Sequence, residues 1–172
     1  MKTLLILRHG KSSWKFPDLP DHDRPLNSRG KRDAPLIGRK LAEEGMVPDV
    51  IISSSATRAH ATAKKAAKAS GYRGEIVVES SLYGGGGHTA YLNILRNQLD
   101  QYKKVLLVGH NPDVEQLVDI LTGTEIIMPT CALAHVSLIL ERWPDLNNDT
   151  KGKLVKIWRP KELIVEKDDR AT

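Results

Sequence analysis

Short apolar runs recur along the chain, each ending on a glycine, a serine or a charged group. Leu4-Leu5-Ile6-Leu7, Val50-Ile51-Ile52, Ile76-Val77-Val78 and Val105-Leu106-Leu107-Val108 are too short for helices and lack polar alternation. The first reads as a strand buried on both faces, Val50–Ile52 as a second buried strand, Ile76–Val78 as a third, short strand and Val105–Val108 as a fourth, the pattern of a sheet with helices between strands. After the first run comes a polar segment, Lys11 to Leu26, rich in Pro and Asp, which reads as a loop folded over the strand end. Asn27 or Ser28 is placed to cap a helix carrying Ala34, Ile37, Leu41 and Ala42 and stopping at Gly45, with a kink predicted at Pro35. Ser53-Ser54-Ser55 are suitable caps for an alanine-rich helix from Ala56 to Ser70, ended by Gly71. Tyr83 with Gly84 to Gly87 reads as a flexible connection into a helix from Thr89 to Leu99. Asn111 as cap and Pro112 at the first helical position predict another helix through Leu121, with Thr122-Gly123 as its stop.

Beyond that the period changes. Leu133 to Leu140 and Lys153 to Trp158 are strand-like runs whose connection, Pro144 to Thr150, suits a hairpin. The pattern predicts an α/β fold: a three-layer α/β/α sandwich with a mostly parallel central sheet and an antiparallel element at one edge. With 172 residues in all, one domain over 1–160 is expected, with the charged segment 161–172 as a peripheral tail.

Composition narrows the class only a little. A 40% hydrophobic and 27% charged chain is ordinarily globular, and a net charge of +5 favours an anionic partner without naming it. Lys and Arg are scattered and aromatics make up only 5%, which disfavours nucleic acid. The single cysteine, Cys131, excludes an internal disulfide and fits a reducing compartment. No apolar run is long enough for a signal peptide or a membrane span, so the expectation is a cytoplasmic protein that binds no membrane.

Candidate chemistry gathers where strands end. Arg8, His9 and Gly10 follow the first run, Arg58 lies in the opening turn after the second, and His110 follows the fourth. Strand ends facing helix N-termini combine unsatisfied N–H groups with positive partial charge, so cations placed there favour a tetrahedral anion. Arg8 offers a planar fork of donors, and Gly10 leaves room for a ligand to approach the backbone.

These blocks resemble a known family. Leu7-Arg8-His9-Gly10, the stretch Ser53 to Ala63 around Arg58, and Val108-Gly109-His110-Asn111-Pro112 are similar to the signature blocks of the histidine phosphatase superfamily, also called phosphoglycerate mutase-like. The short chain and Arg24-Pro25-Leu26-Asn27-Ser28-Arg29-Gly30 resemble its small SixA-like branch. The resemblance spans roughly Met1 to Trp158, and three blocks in order are specific where one alone would be weak. It implies a phosphoglycerate mutase-like fold and a metal-independent, cofactor-free phosphatase. His9 would attack phosphorus and carry a covalent phosphohistidine. Arg8, Arg58 and His110 would bind the non-bridging oxygens. A backbone acceptor near Gly10 would fix the second ring nitrogen of His9, Gly10 would let the substrate approach the main chain, and Arg24 would reach the same oxygens from the loop. The implied partner is a phosphohistidine protein or a small phosphorylated substrate.

The sequence departs from the family at the proton donor. Leu82-Tyr83-Gly84-Gly85 stands where many members carry a carboxylate, and the closest one is Glu79. Asp18, Asp21, Asp23, Asp113 and Glu115 are alternatives, each more simply read as a solvated loop or helix-start residue. A phosphohistidine leaving group needs a protein acid less than an alkyl phosphate does, because imidazole titrates at roughly 6.5 and can carry its own proton.

Other signals have structural readings. His22, His60, His88 and His135 are expected on solvent-facing or strand surfaces. Asp21-His22-Asp23 follows Pro20 in a polar loop and does not suit a metal site. Gly10-Lys11-Ser12 lacks the earlier glycine of a P-loop. Cys131 lacks the arginine of a cysteine phosphatase and reads as a structural thiol. Two functions remain open: a phosphatase, or a non-catalytic module that captures phosphate. An intact His9 beside its cations favours the enzyme.

Overall fold

The computed structural model describes residues 1–172. Six strands form one sheet in the order β3-β2-β4-β1-β5-β6: β1 (Lys2–Arg8), β2 (Val50–Ser54), β3 (Ile76–Glu79), β4 (Lys104–Gly109), β5 (Leu133–Leu138) and β6 (Gly152–Trp158). β1 with β4, β4 with β2 and β2 with β3 are parallel, whereas β5 runs antiparallel to both β1 and β6. The expected edge element is therefore the β5–β6 pair.

Alternation along β1 explains the layers. Leu4 and Ile6 point to one face, where they pack with α3 (Gly87–Arg96) and α4 (Asp113–Thr122) through Leu92, Leu95, Val114 and Leu117. Leu5 and Leu7 point to the other, against α1 (Ser28–Glu43) and α2 (Thr57–Ser70) through Ile37, Leu41, Ala59 and Ala63. Period-2 geometry sends successive side chains to opposite faces, so an unbroken apolar run requires helices on both. α1 and α2 approach closely because Gly38 has no Cβ to collide with Ala66 and Ala69.

Several boundaries differ from expectation. α1 is continuous through Pro35, with Asn27 accepting from the Gly30 N–H as cap. α3 runs earlier than predicted, and β5 ends at Leu138. Asn111 is not the cap of α4: its side-chain amide donates instead to Met128 O and Glu115 Oε1. The charged C-terminal segment forms a helix, α5 (Pro160–Ala171), whose Leu163 joins the α1/α2 core. His135 is buried on β5 beneath Trp158, the rings stacked 6.1 Å apart, and so is not a surface histidine. No helix is long and apolar enough to cross a membrane.

Candidate active site

The sheet register brings three chain segments to one rim. Arg8 is paired with Gly109 across β1–β4, and Ser53 with Val108 across β2–β4, so β1, β2 and β4 end level with one another. In an α/β sheet this carboxyl edge is where ligands bind. His9, Ser54, the start of α2 and His110 all leave from it.

His9 is held on every side. Its N–H donates to Gly109 O, and the Cys131 N–H donates back to the carbonyls of Arg8 and His9. The ring Nδ1 lies 2.7 Å from Gly10 O. A carbonyl only accepts, so Nδ1 carries the proton and Nε2 keeps its lone pair. Gly10 is fixed in turn by its N–H donating to Thr62 Oγ1, whose hydroxyl donates to Arg58 O. A Cβ on Gly10 would press on Gly30 and Leu26. Burial lowers the His9 pKa to about 3; the Gly10 bond opposes this, while His110, Arg58 and Arg8 assist it. The imidazole is thus neutral near pH 7.

His110 stands 5.0 Å from His9, ring centre to ring centre. Its Nε2 is 2.8 Å from Ser54 Oγ, and its N–H donates to the Tyr91 hydroxyl. Burial, then Arg58, lowers its pKa to about 4, with Asp21 pulling the other way. Arg8 donates through Nη1 to Met128 O at 2.9 Å, while its buried Nε has no partner. Glu115 braces that loop by accepting from the Met128 N–H.

Arg58, the second residue of α2, is buried, and both its terminal nitrogens are engaged by one residue. Nη1 donates to Asp21 O at 2.7 Å and Nη2 to Asp21 Oδ2 at 3.0 Å. Asp21 Oδ2 also accepts from the Tyr83 hydroxyl, and Oδ1 from Arg24 Nη1. The Tyr83 bond first, then Arg24 and Arg58, hold this carboxyl well below the usual carboxylate range. Asp21 is therefore an anion seated on the cations of the site, and its reading as a solvated loop carboxylate is corrected.

Of the predicted site residues, the structure brings together Arg8, His9, Gly10, Arg58 and His110. Arg24 is brought only to the rim. Its donors are engaged by Asp21, Ser12 Oγ at 2.6 Å and Ser13 O, and its guanidinium lies 3.3 Å over the Trp14 ring. Arg24 thus meets Arg58 through their shared partner Asp21.

Sequence reasoning gave Tyr83 no role in the site and weighed Asp21 only as an alternative acid, more simply a solvated carboxylate. The Tyr83 ring lies 5.6 Å from His110 and 4.8 Å from His22. His22 is itself a rim residue, its Nε2 2.9 Å from Ser55 Oγ. The only sequence signal for Asp21 was its spacing to Arg24. Glu79 faces Ser54 across β2–β3, and Asp113 opens α4 with burial raising its pKa.

With this geometry established, comparisons with known proteins carry a class. Residues 4–83 match the histidine phosphatase superfamily (branch 1). An uncharacterized chloroplastic protein of Arabidopsis thaliana is 32% identical over 154 residues, 84% of this chain and 70% of the relative. In three dimensions the chain is similar to the protein histidine phosphatase SixA complexed with tungstate, with a TM-score of 0.80 at 22% identity over 94% of this chain and 99% of that one. It is also similar to a protein of Agrobacterium tumefaciens assigned to SixA, with a TM-score of 0.78 at 27% identity over 92% and 98%. The chain belongs to the histidine phosphatase superfamily. Within it, the small SixA-like branch shares this fold nearly end to end. Membership supports phosphatase activity.

Proposed function

We propose that this protein is a metal-independent phosphatase that dephosphorylates phosphohistidine in proteins through a covalent intermediate on His9. The observation that carries the reading is the state of His9: neutral, protonated on Nδ1 by its bond to Gly10 O, with Nε2 unprotonated among Arg8, Arg58 and His110. That is a nucleophile set in an oxyanion cradle. In the first step the Nε2–P bond forms as the substrate P–N bond breaks, and the imidazole leaves neutral, keeping the proton already carried on its other ring nitrogen. In the second, water attacks phosphorus, the P–Nε2 bond breaks and inorganic phosphate leaves. Arg8 Nε, a buried donor without a partner, supplies one contact to a phosphoryl oxygen. Arg58 supplies two more on exchanging Asp21 for phosphate.

Asp21 also bears on the substrate. The carboxylate that touches the cluster is held ionised by Tyr83, Arg24 and Arg58, so it is not a proton donor near neutral pH. An imidazole leaving group tolerates this, whereas an alkoxide does not. The fold shared with protein histidine phosphatase SixA supports the same choice. A second reading, a phosphatase of small phosphomonoesters, is favoured by Asp113, whose carboxyl is pushed up by burial three residues beyond His110. A module that only captures phosphate would not need the free Nε2. The reading takes 1–160 as a single domain, with 161–172 peripheral and anchored by Leu163, and a cytoplasmic setting suited to the buried thiol of Cys131.

Rapid quenching with labelled phosphohistidine substrate tests the proposal. An acid-labile, alkali-stable phosphoenzyme should appear in the parent and be absent in His9→Ala. Label persisting in His9→Ala would move the nucleophile to another residue, His110 first.

A further inference from the structure

An open groove of about 730 Å³ lies beside the site, and the chemistry above does not use it. It runs between the segment leaving His9 and the first turn of α1, and it is lined by Lys11, Trp14, Lys15, Phe16, Ser28 and Lys31 among others. Trp14 is 73% exposed and Phe16 55%, although both are large apolar side chains on a short stretch of one loop. No carboxylate lines the groove. None of its three lysines is ion-paired, whereas Arg24 and Arg58 behind it both are. Exposed aromatics flanked by unpaired cations mark a recognition surface, complementary to an acidic partner that also offers an apolar side chain.

The groove is coupled to the site by distance and by contact. Trp14 is five residues from His9, so at about 3.6 Å per residue it lies within about 18 Å even if the chain is fully extended. A typical interface covers about 800 Å² per partner, a disc of about 16 Å radius. Lys11, two residues from His9 and so within about 7 Å, falls inside that disc, and a protein presenting a phosphoryl group to His9 would therefore reach the groove at its near end. One face of Trp14 is fixed against the Arg24 guanidinium, leaving the other face for the partner.

Resting on the phosphohistidine reading, we infer that this groove docks an acidic segment of the phosphorylated protein, with an apolar side chain seated between Trp14 and Phe16 and carboxylates against Lys11, Lys15 and Lys31. Specificity for protein over small substrate then resides here, outside the reacting cluster. The occupant is a protein segment because it arrives attached to the phosphohistidine. Nucleic acid would need a longer cationic track, and the chain's lysines and arginines are scattered.

The test uses the full chain and a double variant, Lys15→Glu with Phe16→Ser, two exposed residues outside the reacting cluster. Substrates are free phosphohistidine and two synthetic peptides of equal length, phosphorylated on one histidine by phosphoramidate. One peptide carries Glu and Leu around the histidine, and the other carries Ser and Gly. In the parent, kcat/KM should be about 10-fold higher on the acidic peptide at low salt, with the advantage shrinking as salt rises. The variant should lose that advantage yet turn over free phosphohistidine like the parent. Equal rates on both peptides in the parent, or an unchanged preference in the variant, would overturn the inference, as would tighter competition by a single-stranded RNA than by the acidic peptide.

Binding of the unphosphorylated acidic peptide, read from tryptophan fluorescence, of which Trp14 is the one exposed source, is independent of turnover. A fluorescence response lost in the variant, with no turnover of any phosphohistidine substrate, would sink the phosphohistidine reading and leave the groove standing. No response in the parent would sink the groove.

Discussion

Asp21 grips Arg58 twice, through its peptide carbonyl at 2.7 Å and its carboxylate at 3.0 Å. In the proposed mechanism a substrate phosphoryl group displaces this internal anion when Arg58 binds it. The carboxylate is half-exposed, so the competition is screened and modest. Asp21→Asn removes the charge and keeps one of the two acceptor oxygens, for Tyr83 or for Arg24 but not both. We expect inorganic phosphate and tungstate to inhibit this variant more tightly than the parent by roughly 3-fold to 5-fold, the scale of an exposed ion pair. Inhibition constants measured side by side check it; weaker inhibition would mean that Asp21 positions Arg58 and does not compete for it.

The two histidines set a pH response. Each has a folded pKa below its unfolded value of about 6.5, at about 3 for His9 and about 4 for His110. Between 6.5 and those values the unfolded chain binds protons that the folded chain does not. Their stabilising effect is therefore complete above about pH 6.5 and declines as pH falls towards 4. Denaturant midpoints should drop from pH 7.5 to pH 5, and the drop should shrink in His9→Asn and His110→Asn. A midpoint independent of pH over that range would contradict the burial of both rings.

The reach of sequence reasoning divides along physical lines. β1, β2 and β4 were legible because Leu4 to Leu7, Val50 to Ile52 and Val105 to Val108 must bury both faces, and Arg8, His9 and His110 were legible because each directly follows such a run. Asp21 and Tyr83 were not. Each sits in an irregular segment whose place over the sheet edge depends on contacts remote in sequence, 37 residues for Asp21–Arg58 and 62 for Tyr83–Asp21. Polar residues after Pro20 look alike whether they face water or an arginine. α5 was hidden for another reason: its charged sequence places only Leu163, after the opening Pro160, in a buried position. Asn111 carries a strong cap preference, but its amide found Met128 and Glu115 instead.

The proposed mechanism assigns charge stabilisation to Arg8, Arg58 and two imidazoles, so chelation should leave turnover nearly unchanged. Assays with and without excess EDTA decide this. Activity lost on chelation and restored by a divalent cation would refute the metal-independent mechanism.

The reacting cluster divides by role. Losing one oxyanion donor costs on the order of 100-fold to 1,000-fold, so Arg58→Ala and His110→Ala should retain measurable kcat. On the proposed covalent mechanism His9→Ala removes the bond-forming atom and should fall below detection. Single-turnover rates on phosphohistidine rank the three variants. Comparable losses at all three positions would fit a phosphate-binding role for His9 and oppose a covalent one.

Asp113 separates the two substrate classes. Burial raises its carboxyl pKa, which keeps more of the acid form available near neutral pH than an ordinary aspartate would have. An alkyl phosphate needs that proton on its leaving oxygen, whereas phosphohistidine releases an imidazole that already carries its own. General acid catalysis is typically worth 100-fold to about 10,000-fold. If this chain is built for phosphohistidine, Asp113→Asn should change kcat on phosphohistidine by less than about 3-fold, and any weak turnover of an alkyl phosphomonoester should fall at least about 100-fold. Using an aryl phosphate, whose leaving group needs little protonation, as a third substrate distinguishes loss of the acid from loss of the fold: its rate should follow phosphohistidine. A large, equal loss on all three substrates would assign Asp113 to holding the start of α4 beside His110, and the proton donor would have to be sought at the rim, at His22.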